Sequence, residues 1–406
     1  MAQATAEPKS ERLMSLDAYR GLIMIALAFN GFGLAQTAKN FLKETPDDPF
    51  WQKVQFHFSH VEWVGGGFWD FIQPSFMFMV GVSMAFSYLH RESRGHRWER
   101  MLGHAILRSI VLIFLGIFLI SNGRATTNWS LMNVLTQIGL GYVFLFLMWK
   151  RHWAIQVAAI AACLGITWIL YTTYPAYPMD PQDGYPMADV TGAWVREHHE
   201  GIPAVWQKHV NIGHAIDVKL LNWLPRDKRF EFDRGGYQTI NFLPSLATML
   251  IGLICGEVLR QRILFSTKLF GLIVIGGVSL GLGLYLESLG CPIVKRIWTP
   301  SWALYSSGIC CWILAVLFVV IDGLHLRLWS FPLVVVGMNS IAIYVMGQLL
   351  RPWTAGMLST HFGKGLFTLY GFADVRYQPT IEACLVGLCF WLACWWMYRH
   401  RIFIRI

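Results

Sequence analysis

The sequence predicts an all-α polytopic membrane protein: a single domain over residues 1–406 with about ten transmembrane helices and both termini cytoplasmic. Three observations carry this. Of 406 residues, 55% are hydrophobic and only 14% are charged, where a soluble globular chain carries roughly 25% charged residues. Mean hydropathy is +0.45. The apolar residues gather in runs near the ~20 residues that a helix needs to cross a bilayer, and short basic segments separate every second pair of runs.

Element by element, the runs fall at about 18–38, 69–90, 101–120, 131–149, 153–173, 239–259, 266–287, 302–322, 330–350 and 378–398. The first carries Asn30 and several glycines, and the ninth carries Asn339 and Gln348. The polar start MAQATAEPKSERLMSLDAYR lacks the apolar core and small-residue cleavage site of a signal peptide, so the first run is expected to stay in the mature chain. RESRGHRWER (91–100), KRH (150–152), RQR (260–262), HLR (325–327) and the tail YRHRIFIRI share one face, which the positive-inside rule makes cytoplasmic. The opposite face receives the longer connections at about 39–68, 174–238 and 351–377, the second being a large extracytoplasmic loop.

The net charge of +9 does not argue for nucleic acid, because basic residues in such a chain set topology and meet anionic headgroups. Cys255, Cys310, Cys311, Cys384, Cys389 and Cys394 lie inside apolar runs and no CxxC occurs, so the cysteines read as small apolar residues. His57 and His60 form a HxxH without a third patterned ligand, and no metal is expected. No internal repeat is evident.

Ionisable groups at the mouth of the second run mark the candidate site. HFSHVEWVGGGFWDF supplies His57, His60, Glu62 and Asp70. Asn30 lies 13 residues beyond Asp17, about 20 Å deeper at about 1.5 Å per residue. Gln137, Tyr237, Gln238 and Asn241 fall towards the same outer level. Singly, Asn30 and Gln137 read as interhelical hydrogen bonders; together with His60, Trp63 and Gly65-Gly66-Gly67 they read as a polar pocket. A neutral His oriented by a carboxylate takes and returns protons, and amides hold a carbonyl oxygen as charge develops. Acyl transfer and proton-coupled transport of a sugar or organic acid both use that set, and a non-catalytic scaffold would keep it as interhelical glue.

Six blocks resolve the choice by resemblance. SLDAYRGLIMIALAFNGFG, HVEWVGGGFWDFIQPSFMFMVG, MNVLTQIGLGY, GYQTINFLPSLATMLIGLICG, RIWTPSW and VVGMNSIAIYV occur in this order. They resemble successive blocks of the heparan-alpha-glucosaminide N-acetyltransferase family, membrane acetyltransferases with bacterial relatives. The resemblance implies transfer of acetyl from acetyl-CoA, as acyl donor, to the amine of a terminal glucosamine or other amino sugar. It implies a catalytic role for His60, with Asp70 the acidic residue of the same motif, an acyl-donor pocket at Asn30, and pocket positions at Gln137 and Asn339. It also implies a homodimer, a lipid bilayer as surroundings and, for a chain of this type, the bacterial inner membrane. Arg91, Arg94, Arg97, Arg100, Arg260 and Arg262 are candidates for the donor's phosphates. The stretch NFLKETPDDPFWQK between Asn30 and His60 departs from the animal lysosomal enzyme, which leaves the acceptor open and keeps sugar O-acetylation as a nearer alternative.

Overall fold

In the computed structural model, residues 13–177 and 190–404 are described. The last residues of the basic tail and part of the expected 174–238 loop lie outside them. Sixteen α-helices account for the architecture, and no β-strand occurs among the described residues.

Among the described residues, seven helical stretches are long and apolar enough to cross a membrane: Phe68–Ser93, Trp98–Ser121, Trp153–Thr173, Thr239–Arg260, Phe265–Ser288, Pro300–Gly323 and Val375–Arg399. The count rises to nine if each of two bent pairs is one span. The ten expected runs are all helical: seven meet that length and hydropathy and two are the bent pairs. The fourth, expected at 131–149, is α6 (Val134–Met148) with 15 residues, about 22 Å long against an apolar layer of about 30 Å.

The first run is not one helix. α1 (Met14–Ala28) gives way to α2 (Leu34–Leu42) across a 44° bend. The sequence Asn30-Gly31-Phe32-Gly33 causes it: all four residues have positive φ, from 51° to 65°. Asn and Gly tolerate that left-handed region, so N-G-F-G at the end of an apolar run is a chain-turning signal. The ninth run likewise breaks, by 70°, between α13 (Phe331–Gly337) and α14 (Ser340–Leu349).

Three helices form the interior. The apolar windows of α4 (Ile72–Ser93), α10 (Phe242–Arg260) and α12 (Pro300–Leu317) are 61–72% buried, against 22–33% for α5 (Trp98–Ser121), α7 (Trp153–Thr173), α11 (Phe265–Ser288) and α16 (Gln378–Arg399). α4 and α10 touch backbone to backbone: a Cβ added to Gly81 would lie 1.9 Å from Met249 O, and one on Gly252 2.1 Å from Phe78 O. Small residues allow this approach, which in a bilayer replaces the hydrophobic effect as the source of helix association.

Two polar ends cap the bundle. At one, Lys150 pairs with Glu92, Gln156 Nε2 donates to Glu257 Oε2 at 3.0 Å, and the backbone N–H of Met14 donates to Asp322 at 3.1 Å. This end holds both ends of the described chain and the basic segments. At the other, α3 (Pro49–Phe58), α8 (Gly192–His198), α9 (Ile212–Leu220) and the 289–299 connection fold together. Their centre is aromatic: the indole N–H of Trp63 donates to Trp206 O at 3.0 Å, and Tyr171 stacks on Trp206 at 4.9 Å. Val64 bridges to Val294, and Gly65 N–H donates to Ile293 O at 2.8 Å, which locks the segment after α3 onto the 289–299 connection.

Candidate active site

His60 follows the C-terminus of α3, and Asp70 sits in the short turn that opens α4. Asp70 is 1% exposed, and every oxygen is engaged. Its Oδ2 accepts from the backbone N–H of Gly67 at 3.0 Å and of Val61 at 3.2 Å. Its Oδ1 lies 2.9 Å from His60 Nδ1 and 3.1 Å from Lys295 Nζ. Four donors saturate the four lone-pair directions of a carboxylate, which offsets much of the cost of burying the charge.

The chemistry of the trio follows from donor counting. A carboxylate only accepts, so Nδ1 carries the proton toward Asp70 and Nε2 keeps its lone pair. Lys295 Nζ stands 2.9 Å from the same Nδ1, which cannot accept while it donates to Asp70, so the ammonium donates to Asp70 Oδ1 at 3.1 Å instead. Burial lowers the His60 pKa first, Lys295 and Arg296 lower it further, and the Asp70 contact opposes them. The imidazole is therefore held neutral around neutral pH, with the Nε2 lone pair free to accept a proton. Burial also pushes the Lys295 ammonium down to about 8, with Asp70 holding it up. The His60 side chain is 43% exposed whereas those of Asp70 and Lys295 are 2% and 5%: two buried charges hold one accessible ring.

Arg296 fixes the frame around the trio. Its Nε donates to Val61 O at 3.2 Å and its Nη1 to Gly235 O at 2.8 Å, while Nη2 is 3.7 Å from Glu62. Asn241 Nδ2 donates to Arg296 O at 2.8 Å, so α10 is tied to the same connection.

His60 borders two cavities. One, of about 430 Å³, enters the bundle between α1, α4, α5, α6 and α14, lined by Leu27, Trp69, Ile72, Gln73, Phe76, Asn133, Tyr237, Lys295, Tyr344 and Gln348 among others. The second, of about 760 Å³, is a cleft under α8, and its wall carries Glu62, Glu197, Glu200 and Glu287. A single imidazole thus faces a largely apolar slot on one side and an acidic cleft on the other.

The sequence-derived residues distribute unevenly around this point. His60 and Asp70 are in direct contact. Gln137 is fully buried one layer behind the slot, where its Oε1 accepts from Gln73 Nε2 at 3.3 Å and its Nε2 donates to Met132 O at 3.1 Å. Gln73, not Gln137, lines the slot. Asn30 is exposed at the break after α1 and lines neither cavity around His60. Asn339 lies at the opposite end, where its Nδ2 donates to Ile402 O at 3.0 Å and its Oδ1 accepts from Ile404 N–H at 3.0 Å. The structure brings neither to His60. The arginines of the basic end line neither cavity; Arg91 contacts His104, and Arg260 reaches Ala85 O.

Lys295 is the residue that the sequence analysis missed. A signal exists: Lys295-Arg296 stands in a short connection on the face that the positive-inside rule leaves poor in basic residues, so its charges need another explanation.

Fold and site define a polytopic, all-helical protein with a His–Asp–Lys cluster between a slot in the bundle and an acidic cleft. No family model matches the chain. It is similar to the human protein named heparan-alpha-glucosaminide N-acetyltransferase, 24% identical over 82% of this chain and 52% of the relative. The mouse protein of the same name is 22% identical over 86% of this chain and 55% of the relative. The chain is thus similar to two proteins of that name over most of its own length, and it spans about half the length of these curated relatives.

Proposed function

We propose that the chain is a membrane acetyltransferase that moves acetyl from acetyl-CoA to the amine of a terminal glucosamine or other amino sugar, with His60 as the reacting base. The observation that carries this reading is the position of His60 in the wall of both cavities. The slot suits the acyl arm of the donor: Leu27, Ile72 and Phe76 meet its chain, and Gln73, Asn133 and Gln348 offer hydrogen bonds to its amides. The four carboxylates of the cleft suit an acceptor that arrives as an ammonium ion.

The reaction is then a direct transfer. An amine with a pKa of about 7.7–8.0 is mostly protonated near pH 7 and must lose a proton to attack. His60 Nε2 takes that proton and releases it to water; the neutral amine then bonds to the acetyl carbon while giving its second proton to Nε2, and this proton passes to sulfur as the carbon–sulfur bond breaks. Asp70 holds the ring in the Nδ1–H tautomer, and the Lys295 ammonium, which lines the slot, stabilises negative charge on the carbonyl oxygen. A relay through acetyl-His60 is a second reading favoured by the same two-sided exposure. In this account the His60 end is extracytoplasmic, the basic end faces the cytoplasm, and the bilayer is the bacterial inner membrane.

The test is transfer from labelled acetyl-CoA by the purified protein to glucosamine-terminated and to hydroxyl-only acceptors. Label appearing as amide on the amino sugar supports the reading. Label on a hydroxyl alone makes the protein an O-acetyltransferase, and sugar uptake by proteoliposomes without acetyl-CoA consumption makes it a transporter. Incubation with donor alone, then acid quench, reveals any acetyl-His60.

A further inference from the structure

A third cavity, of about 350 Å³, lies on the His60 end of the protein, and its wall is basic: Arg124, Arg226, Arg229 and Arg234 against Glu231 and Asp233. It adjoins the slot, because Arg124, Asn128, Ser130, Met132 and Asp233 line both. Neither the acyl arm nor the ammonium acceptor explains it.

The site is built and not a chance meeting of surface arginines. The loop that carries Arg226 and Arg229 is clamped by Asn222, whose Nδ2 donates to Phe230 O at 2.9 Å while its Oδ1 accepts from Phe230 N–H at 2.8 Å. Thr126 Oγ1 donates to Asp227 at 2.6 Å, joining that loop to the 122–133 connection. Arg226 packs its guanidinium 5.5 Å from the Phe230 ring centre and donates through Nη2 to Trp129 O at 3.2 Å. Its Nε is enclosed and has no hydrogen-bond partner among the described residues. An enclosed guanidinium N–H without an acceptor is costly, and a planar fork of donors matches the oxygens of a phosphoryl group. Asp233, in the same wall, makes no hydrogen bond to this Nε; its Oδ1 accepts from the backbone N–H of Tyr237 at 3.1 Å.

We propose that this basic cavity binds a phosphate or diphosphate ester group, and that the remainder of that ligand reaches toward His60 along the shared wall. The phosphoryl group belongs either to a lipid, entering between α5 and α14, or to a water-soluble phosphorylated substrate. The binding claim stands apart from acetyl transfer; only its purpose rests on that reading.

The experiment measures binding of inorganic pyrophosphate by calorimetry to the full chain in phosphatidylcholine nanodiscs. Wild type binds, and Arg226→Gln and Arg229→Gln each weaken binding by about tenfold. Arg229 is exposed, so Arg229→Gln tests the site even if Arg226→Gln fails to fold. Arg151→Gln at the other end and His60→Ala both bind as wild type, which separates this site from the transfer chemistry. Nanodiscs with phosphatidic acid identify the source: competition with pyrophosphate marks a lipid phosphate, and unchanged binding marks a soluble one. Absent binding, or equal binding by wild type and both arginine variants, overturns the proposal.

Discussion

Replacing Lys295 with Met tests the electrostatics of the site. Lys295 Nζ stands 2.9 Å from His60 Nδ1 and shares Asp70 Oδ1 with it. In the variant, Asp70 keeps the backbone N–H groups of Val61 and Gly67 but loses its countercharge, so the carboxylate acts on the imidazole alone. The other groups around the ring stay in place: Arg296 and Tyr237 on the bundle side, Glu62, Glu197, Glu200 and Glu287 across the cleft. A charge within 4–6 Å shifts a pKa by about 1–3 units. His60 is 43% exposed, so solvent screening puts the effect at the low end, about one unit or about 1.4 kcal/mol.

The sign follows from the base. His60 has its pKa lowered in the wild type, so the reactive neutral form is lost only as pH falls through that lowered value. Without Lys295 the ring holds its proton to higher pH. The acid limb of kcat/KM for acetyl transfer therefore moves upward by about one unit, and at a fixed pH on that limb the variant, scaled to its alkaline plateau, runs about tenfold below the wild type scaled to its own. Lys295→Arg keeps the charge and leaves the limb near the wild-type position. An acid limb that stays in place or moves downward in Lys295→Met refutes the reasoning.

Other outcomes follow from the same geometry. Because Lys295 is held at about 8, wild-type kcat declines above that pH as the ammonium is lost, and Lys295→Arg removes the decline. Glu197→Gln with Glu200→Gln raises KM for an amine acceptor a few-fold at unchanged kcat, since exposed carboxylates contribute about 0.2–1 kcal/mol each. Gly81→Leu prevents the contact of α4 with α10, where a Cβ alone would lie 1.9 Å from Met249 O, and the yield of monodisperse protein collapses. Gly103→Ala, with nothing within 4 Å of the added carbon, leaves it unchanged. Asn339→Ala removes two hydrogen bonds to the tail, lowering thermal stability by about 1–3 kcal/mol without changing KM for either substrate.

Local sequence carried much of this architecture. Each apolar run became helical because length and hydropathy are properties of a contiguous segment, and His60 with Asp70 was legible because both lie in one motif ten residues apart. Depth along a span was less legible. Counting 1.5 Å per residue assumes a straight helix, and both segments that break, N-G-F-G after α1 and G-M-N-S between α13 and α14, carry a residue expected in the pocket. Asn30 occupies the left-handed turn itself, and Asn339 holds the tail at the other end. Lys295 lies 235 residues from His60, so only the folded connection brings the two together. The basic cavity is likewise assembled from two loops more than ninety residues apart, joined by Arg226 and Trp129.

The central claim is that His60, held by Asp70 and Lys295, is the base for acetyl transfer between ligands in the two cavities. The most direct measurement is the initial rate of acetyl transfer by purified wild type and His60→Ala, with thermal unfolding followed on the same samples. The account predicts a rate loss of about 10²–10⁴-fold with little change in unfolding temperature. A folded His60→Ala protein that transfers acetyl at the wild-type rate contradicts it.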